Sequence, residues 1–140
     1  MPLPKQKFRE AIFQIIYGYD LSKEIKNDLI KLIADQLKIT VKSAFLAKDY
    51  VLKILEKHDE IDKIIQNECP DYQLNRISKI ELNILRISIY ELYNDTTPPK
   101  VVISEAIRLS RKFSTPSGAT FVNGILNAVY KKLEKNHANN

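Results

Sequence analysis

Apolar residues recur along nearly the whole chain at three- and four-residue steps, the period of an amphipathic helix rather than a strand. Phe8, Ala11, Ile12, Ile15, Ile16 and Tyr19 predict a first helix over about 5–20. Ser22 suits the N-cap of a second helix near 23–38, whose apolar residues are Ile25, Leu29, Ile30, Leu32, Ile33 and Leu37. Leu46, Val51, Ile54, Leu55, Ile61 and Ile65 mark the buried face of a third, over about 43–67. His58 lies within that stripe, where a packed, hydrogen-bonded histidine is the plainer reading than a ligand or catalyst. Pro70 ends the segment, and Cys69 beside it reads as a small filler.

The stretch RISKIELNILRISIYELY is the most apolar and predicts a helix over about 77–93. On a helical wheel Ile80, Ile84 and Ile87 take one side, and Leu82, Leu85, Ile89 and Leu92 much of the other. A surface helix needs only one apolar stripe, so this one should be central. The wheel sets Glu91 between Ile80 and Ile84. A carboxylate there must find a donor or reach water, so Glu91 is either a structural clamp or a partner-facing rim residue.

NDTTPPK breaks the pattern, with Thr97 as a cap and Pro98 at the first position of the next helix. Val102, Ala106, Leu109 and Phe113 then space a stripe, and Arg108, Arg111 and Lys112 fall near its end, where positive charge suits the helix dipole. The last helix starts near 115–118, capped by Thr115 with Pro116 following or by Ser117, and runs to about 133. Its apolar face is Val122, Ile125, Leu126, Val129 and Leu133, with Phe121 and Val122 as anchors. Asn123 and Asn127 face roughly the other way. Gly124 costs about 1 kcal/mol against alanine in a helix, which points to close approach of a backbone or ligand. The polar end NHANN reads as frayed.

Composition narrows the class. Apolar residues make up 44% and charged residues 28% of 140, ordinary for one soluble globular domain. The expectation is a single domain over 1–140, with 1–4 and 136–140 as flexible ends. No apolar run approaches a membrane span, the first residues do not form a signal peptide, and one cysteine excludes an internal disulfide. A cytoplasmic location follows as the plain expectation.

The net charge of +5 is unevenly spread. Residues 96–140 carry all five net charges, and Lys5, Lys7 and Arg9 add three that the acidic-leaning 10–95 offsets. Two basic segments flanking such a body suit a polyanion if they meet in space; otherwise they are an ordinary solvated surface. An enzyme finds little support, since there is no Gly-rich phosphate loop, no CxxC and no HExxH. No metal or cofactor is expected.

Two classes remain, a nucleic-acid module and a helical protein–protein adaptor. For the first, Lys5, Lys7 and Arg9 on one side and Arg111, Lys112, Ser117, Thr120 and Asn123 on the other supply phosphate and base or ribose contacts. For the second, the same bundle would bind protein without specific RNA binding.

REAIFQIIYGYDLS (9–22), ISKIELNILRISIYEL (77–92), PPKVVISEAIRLSRKF (98–113) and FVNGILN (121–127), in this order and spacing, resemble the NusB family of bacterial transcription antitermination factors. The resemblance implies an all-α bundle of about seven helices in two sub-bundles, adding a short helix near 71–76. It implies no catalysis, and binding of boxA RNA together with the ribosomal protein NusE. It further implies a place in the elongation complex with other Nus factors and RNA polymerase on ribosomal RNA operons. Some relatives self-associate, so a homodimer is implied as an option. Lys5, Lys7 and Arg9 fall in the family's basic arm, here thin, and Phe121, Val122, Asn123 and Gly124 match its Phe-Val-Asn-Gly signature. Tyr90 and Glu91 match a Tyr-Glu-Leu near the NusE-facing surface. Phe113, Phe121, Val122 and Gly124 are expected to be structural. Ser104, Ser117 and Asn127 depart from residues common in relatives: Asn at the first, an acidic residue near the second, Asp at the third.

Overall fold

The computed structural model describes the backbone of residues 5–138 and the side-chain surroundings of residues 6–137. The expected flexible segment 1–4 lies outside the described residues, as do 139 and 140. The described residues form seven α-helices and one short 3₁₀ turn, in two compact units that divide after Glu56.

The first unit contains α1 (Lys5–Ser22), α2 (Asn27–Leu37) and α3 (Val41–Glu56), each packed against the other two. The predicted stripe of α1 is its buried face: Ala11, Ile12, Ile15 and Ile16 are almost wholly enclosed. Ile30 and Ile33 of α2 and Ala47, Val51 and Ile54 of α3 join them in the core. The edge of Phe8 meets Tyr50, with ring centroids 6.5 Å apart.

Ser22 ends α1 instead of capping α2. Its hydroxyl donates back to the Gly18 carbonyl at 2.9 Å, and Lys23 turns the chain with a left-handed φ of 63°. The next helix waits until Asn27, with Lys26 at its N-cap and no side-chain cap. Thr40 caps α3, accepting from the Ser43 amide at 3.0 Å.

The second unit holds α4 (His58–Glu68), the 3₁₀ turn (Leu74–Arg76), α5 (Lys79–Asn94), α6 (Pro99–Phe113) and α7 (Pro116–Ala138). The single helix expected over 43–67 is thus two. Lys57, at φ −101° and ψ 10°, leaves the helical path, and Asp59 and Glu60 open α4 where the dipole favours acid. The break also corrects His58. It begins a new helix, so the old stripe no longer sets its direction. Its side chain is 47% exposed, with Nδ1 3.1 Å from Asp59 and Nε2 3.2 Å from Asp62.

Within this unit α5 is central, packed against α4, α6 and α7. Ile84, Leu85, Ile87 and Ile89 lie on different sides of it, and all are buried. Ser78 caps it, accepting from the Ile80 amide. Arg86 reaches from α5 to Asp62 of α4 in a two-pronged pair, Nε to Oδ1 at 2.9 Å and Nη2 to Oδ2 at 3.0 Å. Lys132 of α7 pairs with Glu68. Burial pushes the Cys69 thiol up from its ordinary pKa, with Glu68 adding to the effect, and its Sγ–H donates to the Ile65 carbonyl.

α6 starts one residue later than the Thr97–Pro98 reading. Pro98 precedes Pro99, which forces it extended, at φ −57° and ψ 136°; Pro99 then takes the first helical position. Thr115, not Ser117, caps α7: the Gly118 amide donates to Thr115 Oγ1 at 3.0 Å. Thr115→Ala should therefore cost about 1 kcal/mol in urea unfolding and Ser117→Ala only a fraction of that. The helix continues through Asn136 and His137 to Ala138.

Candidate nucleic-acid interface

Two helical faces meet along the α6–α7 pairing. On α6, Lys100, Ser104, Arg108 and Arg111 follow one another at four- and three-residue steps; on α7, Thr120, Asn123, Asn127 and Tyr130 do the same. Side chains so spaced share a face of their helix. Together they line two adjoining hollows of about 340 and 680 Å³, with Ile107, Arg111 and Asn123 common to both.

The charge in this groove is positive. Lys100 is exposed, Arg111 is exposed, and neither has an ion-pair partner among the described residues. Arg108 is held by Glu105 one turn earlier. Tyr130 contributes an aromatic plane, and a hydrogen bond with Glu134 holds its hydroxyl pKa above the ordinary value. Asn127 Nδ2 donates to both the backbone carbonyl and Oδ1 of Asn123, at 2.9 and 2.7 Å. Thr120 donates to the Pro116 carbonyl at 3.2 Å.

Of the sequence-predicted contacts, Arg111, Thr120 and Asn123 come together in this groove. Ser117 is exposed in the first turn of α7, and Lys112 is exposed with its ammonium 5.7 Å from the Phe113 ring centre. Lys7 is half-buried in the first unit. The Lys5 side chain lies outside the described residues. Arg9 is 7% exposed and engaged within the chain.

Tyr90 and Glu91, expected near a partner surface, are enclosed as well. Both are buried, at 9% and 6%, and both are engaged within the chain. A carboxylate so enclosed needs a partner within its own fold. Val122 is fully buried and Phe113 and Phe121 are half-buried, in keeping with structural roles.

Gly124 is not a packing glycine. A Cβ built there meets nothing within 4 Å outside its own helix turn, so no other segment among the described residues approaches it. Gly118 is the tight position: a Cβ would lie 2.5 Å from Ser114 Oγ and 3.0 Å from Glu81 Cδ, whose side chains are hydrogen-bonded to each other across it. The residues missed from sequence were Lys100, Ser104, Arg108 and Tyr130 as groove-lining groups. Their regular three- and four-residue spacing was the available signal. Among the described residues no cluster of three metal-ligating side chains occurs, and no helix is long and apolar enough to cross a membrane.

Known proteins are similar to this one over nearly the whole chain. The transcription antitermination protein NusB of Chloroherpeton thalassium is 35% identical over 96% of this chain, which spans 64% of that relative's length. NusB of Clostridium perfringens is 36% identical over 91% of this chain and 97% of its own. The NusB chain fold recurs in a crystal structure of antitermination factors NusB and NusE in complex with dsRNA. The match there has a TM-score of 0.78 and 28% identity, and covers 91% of this chain and 96% of that one. The sequence model of the NusB family matches residues 6–131, and with helices, order and motifs in agreement the chain belongs to that family.

Proposed function

We propose that this protein is a transcription antitermination factor that binds boxA-type single-stranded RNA together with a NusE ribosomal protein. It would do so without catalysis, in the cytoplasm, as part of an elongation complex with RNA polymerase and other Nus factors. The observation that carries the reading is the α6–α7 groove, where Arg111 and Lys100 stand without acidic partners among the described residues, beside Asn123 and Tyr130. Cations free of internal pairing are available to phosphates, and an aromatic plane and amide suit an unstacked base. A family relative crystallised with NusE and dsRNA supports both classes of partner.

Fluorescence anisotropy of a boxA-containing RNA, across a salt series and with and without NusE, tests the reading. Binding is expected to weaken steeply with salt and to strengthen when NusE is present. Arg111→Ala should lower the slope of log affinity against log salt by about one. An unchanged slope would remove Arg111 from the phosphate contacts. Absence of RNA binding in both conditions at low salt, with NusE still bound, would favour a protein adaptor instead.

A further inference from the structure

The hydrogen-bond polarity of the α6–α7 groove is set by two neighbouring amides, and its meaning rests on the RNA reading above. Asn127 Nδ2 lies 2.9 Å from the Asn123 backbone carbonyl. A carbonyl oxygen only accepts, so the Asn127 amide is held with its nitrogen toward Asn123. That same nitrogen is 2.7 Å from Asn123 Oδ1, which orients the second amide in turn. The Asn123 acceptor is thereby occupied, while Asn123 Nδ2 has no hydrogen-bond partner among the described residues. Asn123 lines both hollows and is only half-buried, so a ligand in the groove can reach it.

We propose that Asn123 reads one base of the bound RNA through its Nδ2 donors, and that Asn127 is the residue that makes it a donor. A donor selects an acceptor edge, such as uracil O4, over an amino group, such as cytosine N4. Arg111 and Lys100 are placed along the same groove for flanking phosphates, and Tyr130 offers a stacking plane.

The chemistry of position 127 gives the inference its sharp form. An aspartate there is nearly the same size but has no donor. It repels the Asn123 carbonyl and accepts from Asn123 Nδ2, which requires the Asn123 amide to turn over. Oδ1 then faces the groove, and the reader becomes an acceptor. Asn127→Asp is thus expected to reverse the base preference at one position of the RNA.

Two measurements test this on the full chain. In the free protein, NMR should find slow exchange of the Asn127 side-chain amide protons and fast exchange of those of Asn123. In Asn127→Asp the Asn123 protons should become the slow ones. In binding, an RNA probe carrying uridine or cytidine at each position in turn should show one position where the wild type favours uridine about fivefold. In Asn127→Asp that preference should vanish or invert. RNA binding with an identical uridine/cytidine profile in both proteins would overturn the base assignment while leaving the RNA reading intact. Fast exchange of the Asn127 amide in the wild type would overturn the polarity itself. No RNA binding by the wild type would overturn the RNA reading and this assignment with it.

Discussion

Asp62→Ala is expected to destabilise the second unit by about 3 kcal/mol, read as a lower midpoint in urea. The size follows from position. The Asp62 and Arg86 side chains are only 16% and 12% exposed, and they meet through two parallel hydrogen bonds. Removing the carboxylate leaves a guanidinium enclosed between α4 and α5 with only part of its set, including Asn83 Oδ1 at 3.2 Å. By contrast Lys26 and Glu24 are 75% and 63% exposed and 3.6 Å apart, so Lys26→Ala should change stability by less than about 0.5 kcal/mol. Replacing both members of the enclosed pair, Asp62→Leu with Arg86→Met, should recover much of the loss, because no unpaired charge remains. A double variant as unstable as Asp62→Ala would show that the pair's shape, not its charge, holds the helices.

Two glycines six residues apart in α7 should respond to alanine with opposite signs. Gly118→Ala is expected to cost about 2 kcal/mol, since its methyl would occupy the space of the Ser114–Glu81 hydrogen bond. Gly124→Ala is expected to gain about 0.5–1 kcal/mol, since the site is exposed, helical and empty within 4 Å. Urea unfolding of both variants decides it. A loss at Gly124 would reveal a contact for that face within the folded chain. A gain in stability accompanied by weaker RNA binding would place the ligand against the Gly124 backbone.

Helix existence was legible almost everywhere, because apolar stripes repeat at the helical period and the stripes of α1 and α5 are the buried faces. Boundaries were legible where a local steric rule acts. Thr115 followed by Pro116 was one of the two caps the residues allowed, with Ser117 the other. The Pro98–Pro99 pair obeys the rule for the residue before proline, which keeps Pro98 extended and starts the helix at Pro99. The α3–α4 break was hidden, since no glycine or proline marks Lys57 and the apolar spacing runs on through it. Its one trace was the acidic Asp59 and Glu60, placed where a helix N-terminus favours them.

The site was legible in part. Arg111, Thr120 and Asn123 were drawn from charge and motif and do line one groove. Arg9, Tyr90 and Glu91 carried the right residue types but lie inside. Side-chain type states what a group can do, whereas access to a partner depends on which neighbours cover it.

What the amino-acid order determined by itself was the all-α class, the central place of α5 and the basic bias of the C-terminal part. These follow from forces that act within a few residues: the helical period and proline sterics. Only the tertiary structure decided that Gly118 rather than Gly124 is sterically required, that Glu91 is enclosed, and that Asn127 turns the Asn123 amide outward as a donor. The first two depend on atoms brought from distant segments, as with Glu81 beside Gly118. The last depends on one nitrogen lying within reach of a carbonyl that can only accept, a matter of tenths of an ångström that residue spacing does not express.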